Sequence, residues 1–237
     1  MRQLYYVIRT LLRGRGSNLI KIISLGLGLT MSILLFARVA FEQSFDKCYK
    51  DYDNLYQVFS IFTVNGEKSE PQDMNYGPVA GAILENFPEE VEAATSICKW
   101  AASLPLYNGS VRFDDNKIMA DSLFFQTMGI EVLSGNPRDL MQKDVIFLSD
   151  RLAAKIFGGE NPVGKVLSYN KSIEMTVKGI YAALPENTTL RPEAVISMPS
   201  MWSRDIGNYS WDGGDSYFEY IRFRPGADKE AVIARLD

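Results

Sequence analysis

The sequence predicts a mixed α+β fold in which one membrane-spanning helix near the N-terminus precedes a folded outer domain. The first observation is an uncharged apolar run from Ile22 to Ala37. The second is a series of short strand and helix patterns, in irregular order, after residue 55. The third is the distribution of charge. Residues 1–41 contain six basic and no acidic residues, whereas the rest of the chain contains 19 basic and 29 acidic residues.

The apolar run is long enough to cross a bilayer once its flanks are included. Its 16 residues span about 24 Å at ~1.5 Å per residue, and the hydrocarbon core is ~30 Å thick. Lys21 and Arg38 flank the run and can extend their charges to the headgroups, so the predicted transmembrane helix covers residues 18–42. A buried core helix is disfavoured because all faces are apolar. A cleaved signal peptide is disfavoured because the basic region is long and no A-x-A site follows.

Five basic residues before the apolar run set the orientation of the helix, because basic segments stay on the cytoplasmic side. Residues 1–17 then form a cytoplasmic basic stub, and the acidic domain lies outside. Apolar residues in the stub recur at helical spacing: Leu4, Val7, Ile8, Leu11 and Leu12. This spacing predicts an amphipathic helix on the inner leaflet, with a frayed basic tail as the alternative.

Three small residues stand four apart inside the predicted span, at Ser24, Gly28 and Ser32. Residues at this spacing share one helix face, and small side chains there allow another membrane helix to approach closely. We therefore predict a helix packing face at these positions. Glycines are also common in isolated spans, so a lone helix remains the alternative.

The residues after the span predict a stalk and then a strand–helix–strand unit. Aromatic and charged residues at near-helical spacing in 43–54 indicate that the membrane helix continues as a stalk and turns near Tyr52–Asn54. A β-rich run then ends at the turn Asn65-Gly66. A helix is predicted over 77–87, ended by Pro88, and a strand within 92–104.

The predicted secondary-structure pattern changes at residue 105, after which short strands and short helices alternate. Asn108-Gly109 predicts a hairpin, Asp144–Ser149 a strand, and Asp150–Phe157 a helix ended by Gly158-Gly159. Further strands are predicted over 165–169, 173–181, 194–198 and 217–224, with a terminal helix from Asp228. We predict two lobes, one built from 55–104 and 186–237 and the other from 105–185.

Composition excludes several classes of function. The chain has no histidine, which removes histidine general bases, Ser-His and Cys-His nucleophile pairs and histidine-ligated zinc. The acidic outer domain argues against nucleic acid binding, which needs a cationic surface. Cys48 and Cys98 cannot build a metal site alone. They could pair as a disulfide or remain two thiols.

A phosphate-binding loop is suggested by Gly159–Val166 (GENPVGKV) but does not fit. Such a loop needs a hydroxyl residue after the lysine, whereas Val166 follows Lys165. It also needs a strand before and a helix after, and the patterns here are reversed. We predict a turn between a helix and a strand.

Other polar motifs also have simple structural interpretations. Asp114-Asp115 and Glu89-Glu90 are expected in turns, and Asp212–Asp215 (DGGD) lacks the ligand spacing of a calcium loop. Ser149 and Lys155 are six residues apart, unlike the S-x-x-K of serine–lysine hydrolases, so Ser149 is predicted to cap a helix. We therefore predict no catalytic residue, no metal ligand and no cofactor-binding residue.

Trp202 and Trp211 lie in an irregular stretch rich in aromatic residues and glycine. Two interpretations stay open: the rings line a contact surface, or they anchor a loop to the core.

The order of short motifs resembles the N-terminal part of MacB/FtsX-type ABC transporter permeases over nearly the whole chain. The matching blocks, in order, are LGLGL at 25–29, SFD at 44–46, LYQV at 55–58, GP at 77–78, FPEEV at 87–91, FF at 124–125, LSGNP at 133–137, LSD at 148–150 with Ala153, FG at 157–158, NP at 161–162, GK at 164–165, VKGI at 177–180 and LP at 184–185. No single block is specific, but their order and spacing together are.

The resemblance implies a periplasmic core domain with a porter-like lobe, 55–104 with 186–237, and an inserted small-sheet lobe, 105–185. It also implies an inner-membrane permease whose N-terminus is cytoplasmic and whose residues after about 42 are periplasmic. The implied partners are membrane lipid, a second permease copy, a cytoplasmic ATPase and a periplasmic adaptor or substrate protein. ATP would be used by that separate subunit, so no cofactor and no enzyme activity are expected here.

The three membrane helices that follow the core domain in the family, and the fused nucleotide-binding domain of MacB, are missing from these 237 residues. We expect the chain to be the first part of a longer permease. The alternative is a single-pass sensor with an outer ligand-binding domain. A membrane-anchored hydrolase is disfavoured by the missing histidine.

Overall fold

The computed structural model describes residues 17–206, 209–212 and 214–236, together with Tyr6 and Arg9. The chain divides into two compact units, residues 1–45 and 46–237. The predicted amphipathic helix of the stub falls on residues outside the described part of the chain, apart from Tyr6, Arg9 and Ser17.

The first unit contains one long helix, α1 (Ser17–Gln43), which runs one residue beyond the predicted span at each end. Its segment Ile20–Gln43 is long and apolar enough to cross a membrane, and none of its most apolar window is buried within the protein. The helix of a soluble core would bury such a face, so the exposed leucines and isoleucines around α1 favour a lipid environment.

The predicted helical stalk over 43–54 is wrong. The helix ends at Gln43, turns follow to residue 51, and a 3-10 helix covers Tyr52–Asn54. Asp46 and Asp51 adopt positive φ angles of 57° and 50°, and an α-helix of L-residues cannot continue through such positions. The near-helical spacing in this stretch therefore comes from successive turns.

The second unit is built around a large sheet. Its strands are β1 (Leu55–Val58), β2 (Thr63–Val64), β3 (Glu67–Lys68), β4 (Asn75–Tyr76), β5 (Val91–Cys98), β6 (Leu106–Asn108), β7 (Val111–Phe113), β8 (Lys117–Ala120), β9 (Val132–Ser134), β10 (Val145–Ser149), β11 (Val166–Tyr169), β12 (Ile173–Tyr181), β13 (Ala194–Ser197) and β14 (Asp215–Phe223). Its helices are α2 (Val79–Asn86), α3 (Phe124–Met128), α4 (Asp150–Phe157), α5 (Pro199–Trp202) and α6 (Lys229–Leu236), with further 3-10 helices at Trp100–Ala102 and Pro137–Met141.

The main sheet has the strand order β1-β14-β5-β8-β13-β10-β12-β11-β6-β7, with β4 added on β14 and β9 on β12. Most neighbours are antiparallel, but β8 with β13 and β10 with β12 are parallel. Strands β2 and β3 form a separate hairpin across Asn65-Gly66, whose φ angles of 54° and 87° suit the tight turn that this dipeptide predicts.

Strand β13 comes from the segment 186–237 but lies between β8 and β10 of the segment 105–185. The sheet therefore passes through both predicted lobes without a break, and the boundary near residue 185 is not a boundary of the sheet. The reason is topological, because β13 returns to pair in parallel with β8 after 73 intervening residues. The two-lobe division itself stays a prediction.

Buried side chains cover both faces of the central strands. On β10, Ile146 and Leu148 belong to one hydrophobic cluster, whereas Val145 and Phe147 belong to another on the opposite face. This arrangement explains why the strand reads as a continuous apolar run rather than an alternating one. A third cluster joins α2, β5, β14 and α6 around residues such as Ile83 and Val232.

Several local predictions are confirmed. Helix α4 has the predicted bounds, the Oγ of Ser149 accepts the Leu152 N–H at 3.0 Å, and Gly158 ends the helix with φ 64°. The hairpin β6–β7 forms as predicted, but its turn residues are Gly109-Ser110, because Asn108 still pairs with Val111 at the end of β6. Cys48 is exposed and Cys98 is buried, and both are free thiols.

Candidate functional site

The first residues of the second unit are held against the rest of that unit by a set of polar contacts. We call residues 46–54 the anchor segment. Its first residue, Asp46, accepts hydrogen bonds from Thr188 Oγ1 at 2.7 Å, the Thr189 N–H at 2.8 Å and Thr189 Oγ1 at 2.7 Å. The Asp46 N–H in turn donates to the Asn187 carbonyl at 3.0 Å. A carboxylate with three donors is held firmly, because hydrogen bonds to charged groups are stronger than neutral ones.

Tyr49 fixes the same loop from inside the core. Its ring is 4% exposed and belongs to the hydrophobic cluster around Phe125. Its hydroxyl donates to the Leu190 carbonyl at 2.9 Å and lies 2.9 Å from Thr188 Oγ1. Burial raises the pKa of this phenol, so it stays neutral and keeps its proton for the carbonyl.

Arg222 on β14 connects the anchor segment to the end of α3. Its Nε donates to the Thr127 carbonyl at 2.7 Å and its Nη1 to the Asp51 carbonyl at 3.2 Å. The Lys50 N–H reaches the Gly129 carbonyl at 3.4 Å. Gly129 has φ +66°, and a Cβ there would lie 2.8 Å from Arg222 Nη2 and 2.9 Å from the Lys50 carbonyl oxygen. Glycine at this position therefore lets the three elements meet.

The anchor segment has one further contact at its end. Lys229, the first residue of α6, donates from Nζ to the Asp53 carbonyl at 2.8 Å. Its ammonium also lies 5.0 Å from the ring centroid of Tyr56, within the range of cation–π attraction. The anchor segment thus binds three separated parts of the domain: the loop 187–190, the α3–β14 region and α6.

The predicted residues of α1 lie at defined helical positions. Ser32 donates from Oγ to the Gly28 carbonyl at 2.9 Å, and none of the described residues has an atom within 4 Å of a Cβ built on Gly28. Ser24 stands one turn before Gly28 on the same face, so an open face of small residues is present. Of the flanking charges, Arg38 forms an ion pair with Glu42 one turn later, and Lys21 is exposed.

The two tryptophans differ in their surroundings. Trp202 is half-buried, packs against the core cluster around Leu106 and Met201, and lies 4.5 Å from Tyr209 between ring centroids. Trp211 is 59% exposed. Only Trp211 keeps the exposure that a contact surface would need.

A cavity opens beside Trp100, at the side of the domain formed by the 3-10 helix after β5, the β11–β12 turn and α5. Its volume is about 340 Å³. Its lining is mostly apolar and includes Trp100, Leu104, Tyr169 and three methionines, Met119, Met175 and Met201.

The motifs that the sequence set aside have ordinary structural roles. Gly159–Val166 connects α4 to β11, and Lys165 there pairs with Glu160. Arg112 binds the Asp114 carboxylate, and Ser149 Oγ lies 2.5 Å from Glu193 Oε2. Gly213 of the DGGD stretch is outside the described residues. Within the described part of the chain, no group of three or more acidic or cysteine side chains is arranged to hold a metal ion.

Comparison with known families decides the identity of the domain. The family model for the MacB-like periplasmic core domain matches residues 19–237, from the membrane helix to the end of the sequence. The chain belongs to this family. The MacB-like core domain therefore includes every element of the anchor segment and its binding loop.

Solved structures agree with this assignment. A domain of a protein described as a permease from Porphyromonas gingivalis is similar at TM-score 0.64 and 22% identity, covering 79% of this chain and 83% of that one. The periplasmic region of MacB from Actinobacillus actinomycetemcomitans is similar at TM-score 0.55 and 17% identity, covering 77% of this chain and 80% of that one. The extracellular domain of the noncanonic ABC-type transporter YknZ from Gram-positive bacteria is similar at TM-score 0.55 and 14% identity, covering 77% of this chain and 92% of that one. At these identities the likeness is one of fold. The comparison with curated proteins finds no match.

The anchor contacts of this MacB-like domain were missed at the level of sequence. Ser44-Phe45-Asp46 was part of the family resemblance, but its partner loop lies more than 140 residues away in the chain. The run Asn187-Thr188-Thr189 carries the one available signal, because such residues often bind backbone or carboxylate groups at turns.

Proposed function

We propose that the chain is part of a permease subunit of an ABC-type system, in which a separate cytoplasmic ATPase drives movement of the periplasmic domain through the membrane helix. The family match carries this proposal, since it covers the helix and the outer domain together. In this role the protein resides in the inner membrane with its N-terminus in the cytoplasm and its outer domain in the periplasm. Export or control of an envelope process would be the result.

The anchor segment supports the proposal physically. A segment that begins three residues after the end of α1 and is fixed at Asp46, Tyr49, Asp51 and Asp53 can pass a displacement of the helix end to the domain. A loosely attached linker would absorb such a displacement instead. In this scheme the chain itself carries out no catalysis, a second permease copy pairs with it, and an adaptor or substrate protein binds outside.

Two experiments test this function. Reading the gene beyond residue 237 should reveal three or more further hydrophobic spans, and a stop codon at that point would contradict the proposal. The full-length protein, purified from its own membranes, should then carry an ATPase subunit with it. Recovery of the permease without any ATPase would argue against the coupling.

A direct test of transmission uses the exposed Cys48 of the anchor segment. An environment-sensitive maleimide dye on Cys48 should change its emission when the full-length complex in nanodiscs is trapped with ATP and vanadate. Asp46→Ala should reduce that change at least twofold, whereas Asp53→Asn should preserve it, because Asp53 contributes its backbone carbonyl. An unchanged signal in the Asp46 variant would show that movement does not pass through the anchor segment.

The second candidate is a single-pass sensor whose outer domain binds a ligand. The cavity beside Trp100 favours it, because its volume of about 340 Å³ lies at the lower end of the ~300–1,000 Å³ range of small-molecule sites. The gene sequence beyond residue 237 distinguishes the two, since a sensor does not need further spans.

A further inference from the structure

Two polar side chains in the lining of the cavity beside Trp100, Tyr169 and Ser200, already have hydrogen-bond partners within the protein, whereas Ser103, Asn170 and Ser172 line it as exposed residues. The Tyr169 hydroxyl donates to the Ala101 carbonyl at 2.6 Å and accepts the Leu104 N–H at 3.2 Å. The Ser200 Oγ accepts the Asp144 N–H at 2.8 Å and lies 2.5 Å from Ser197 Oγ. A polar group on the inner part of a ligand would therefore lose its hydrogen bonds to water without gaining equivalent ones from Tyr169 or Ser200.

The lining also lacks charge among its described residues. Burial raises the pKa of Tyr169, so its phenol remains neutral as well. An ionised ligand would lose solvation in such a cavity without a compensating partner, which excludes phosphates, carboxylates and amines as the part that enters.

The apolar lining has a distinct chemical composition. Met119, Met175 and Met201 contribute flexible, polarisable thioethers, which adapt to irregular shapes and contact aromatic rings favourably. The mouth carries Trp100, 49% exposed, and Leu104, 44% exposed. Exposed apolar side chains at the rim of an apolar cavity gain from being covered by a ligand.

We propose that this cavity is a binding site for an uncharged, ring-containing small molecule. The inner part of the ligand contacts the three methionines, and its outer part stacks on Trp100. The inference does not depend on whether the protein is a permease or a sensor, since it concerns the outer domain alone.

The test uses N-phenyl-1-naphthylamine, a neutral aromatic fluorophore whose emission rises in apolar surroundings. The full chain in lipid nanodiscs is titrated with the dye, and the signal of empty nanodiscs is subtracted. We expect a saturable component in addition to partition into lipid. Its absence would overturn the proposal.

Two variants close the cavity from different walls: Ala101→Phe and Ser172→Trp. Each should raise the dissociation constant of the saturable dye binding at least tenfold. The matched control Met141→Phe adds an aromatic ring at a residue that is 68% exposed and does not line the cavity, and it should change affinity less than twofold. Thermal melting identifies a variant that fails to fold. If one closing variant does not fold, the dye affinity of the other one tests the proposal. Undiminished binding in a folded closing variant would show that the dye binds elsewhere.

Discussion

Ser96 and Glu219 face each other on the neighbouring strands β5 and β14, with Ser96 Oγ 2.7 Å from Glu219 Oε2. The same hydroxyl lies 3.0 Å from the Gly77 carbonyl oxygen. A hydroxyl has one proton, and a carbonyl can only accept. Both contacts are therefore made when Ser96 donates to Gly77 and a protonated Glu219 donates to Ser96. Burial raises the pKa of Glu219 to about 9, in agreement with this assignment, and the nearby Asp121 carboxylate also raises it.

This protonated glutamate predicts a pH dependence of stability. The folded protein retains the proton up to pH of about 9, whereas the unfolded chain loses it near the ordinary value of 4.5. Because the folded state binds more protons in that window, the free energy of unfolding should fall as pH rises through it, by up to about 1.4 kcal/mol per pH unit. Glu219→Gln keeps the donor and should flatten the curve in denaturant titrations between pH 5 and pH 9. Glu174→Gln, on the exposed side of β12, is the control and should leave the slope unchanged. An equal slope in the wild type and Glu219→Gln would contradict the assignment.

Removal of the Asp46 carboxylate should loosen the anchor segment. Asp46→Ala loses three hydrogen bonds to a charged group, so we expect a loss of about 1–3 kcal/mol in the free energy of unfolding. Amide hydrogen exchange over residues 46–54 should rise more than in the core strands. Asp53→Asn keeps the backbone acceptor for Lys229 and serves as the matched control. Exchange that rises equally in both variants would show that Asp46 does not hold the segment.

Gly179 is required by close packing rather than by its backbone angles. A Cβ there would lie 2.5 Å from the Ser134 carbonyl oxygen and still closer to the Phe147 ring, at the irregularity between β10 and β12. Gly179→Ala should therefore cost about 1–3 kcal/mol of unfolding free energy through overpacking, measured by chemical denaturation. Gly159→Ala meets nothing within 4 Å and should be neutral or slightly stabilising. A neutral Gly179→Ala would mean that the sheet adapts at no cost.

The small-residue face of α1 has a matched control within the same helix. Gly28 and Gly26 each accept a hydrogen bond from a side-chain hydroxyl at their carbonyls, and a Cβ on either meets nothing within 4 Å in the described part of the chain. Gly28→Ile should block close approach of another helix and reduce cross-linked dimer of the full-length protein in membranes several-fold. Gly26→Ile, on a different face, should have little effect. Similar losses in both variants would argue against Ser24, Gly28 and Ser32 as the packing face.

Much of the fold followed from local patterns. The apolar run predicted α1, Ser149 and Gly158 predicted the two ends of α4, and Asn108-Gly109 predicted the β6–β7 hairpin. These features depend on side chains a few residues apart, so the sequence contains all the necessary information. The predicted stalk failed for a related reason, because spacing alone cannot reveal that Asp46 adopts a positive φ.

The sequence by itself determined the membrane helix, its flanking charges, most strands and helices, and the family resemblance. The tertiary structure alone decided that β13 enters between β8 and β10 and that Asp46 meets Thr188 and Thr189. It also decided that Trp202 packs on the core while Trp211 is exposed, and that Glu219 is buried beside Ser96. Partners far apart in the chain are brought together by strand order and core packing. Periodicity and capping signals describe only the few residues on either side of a position.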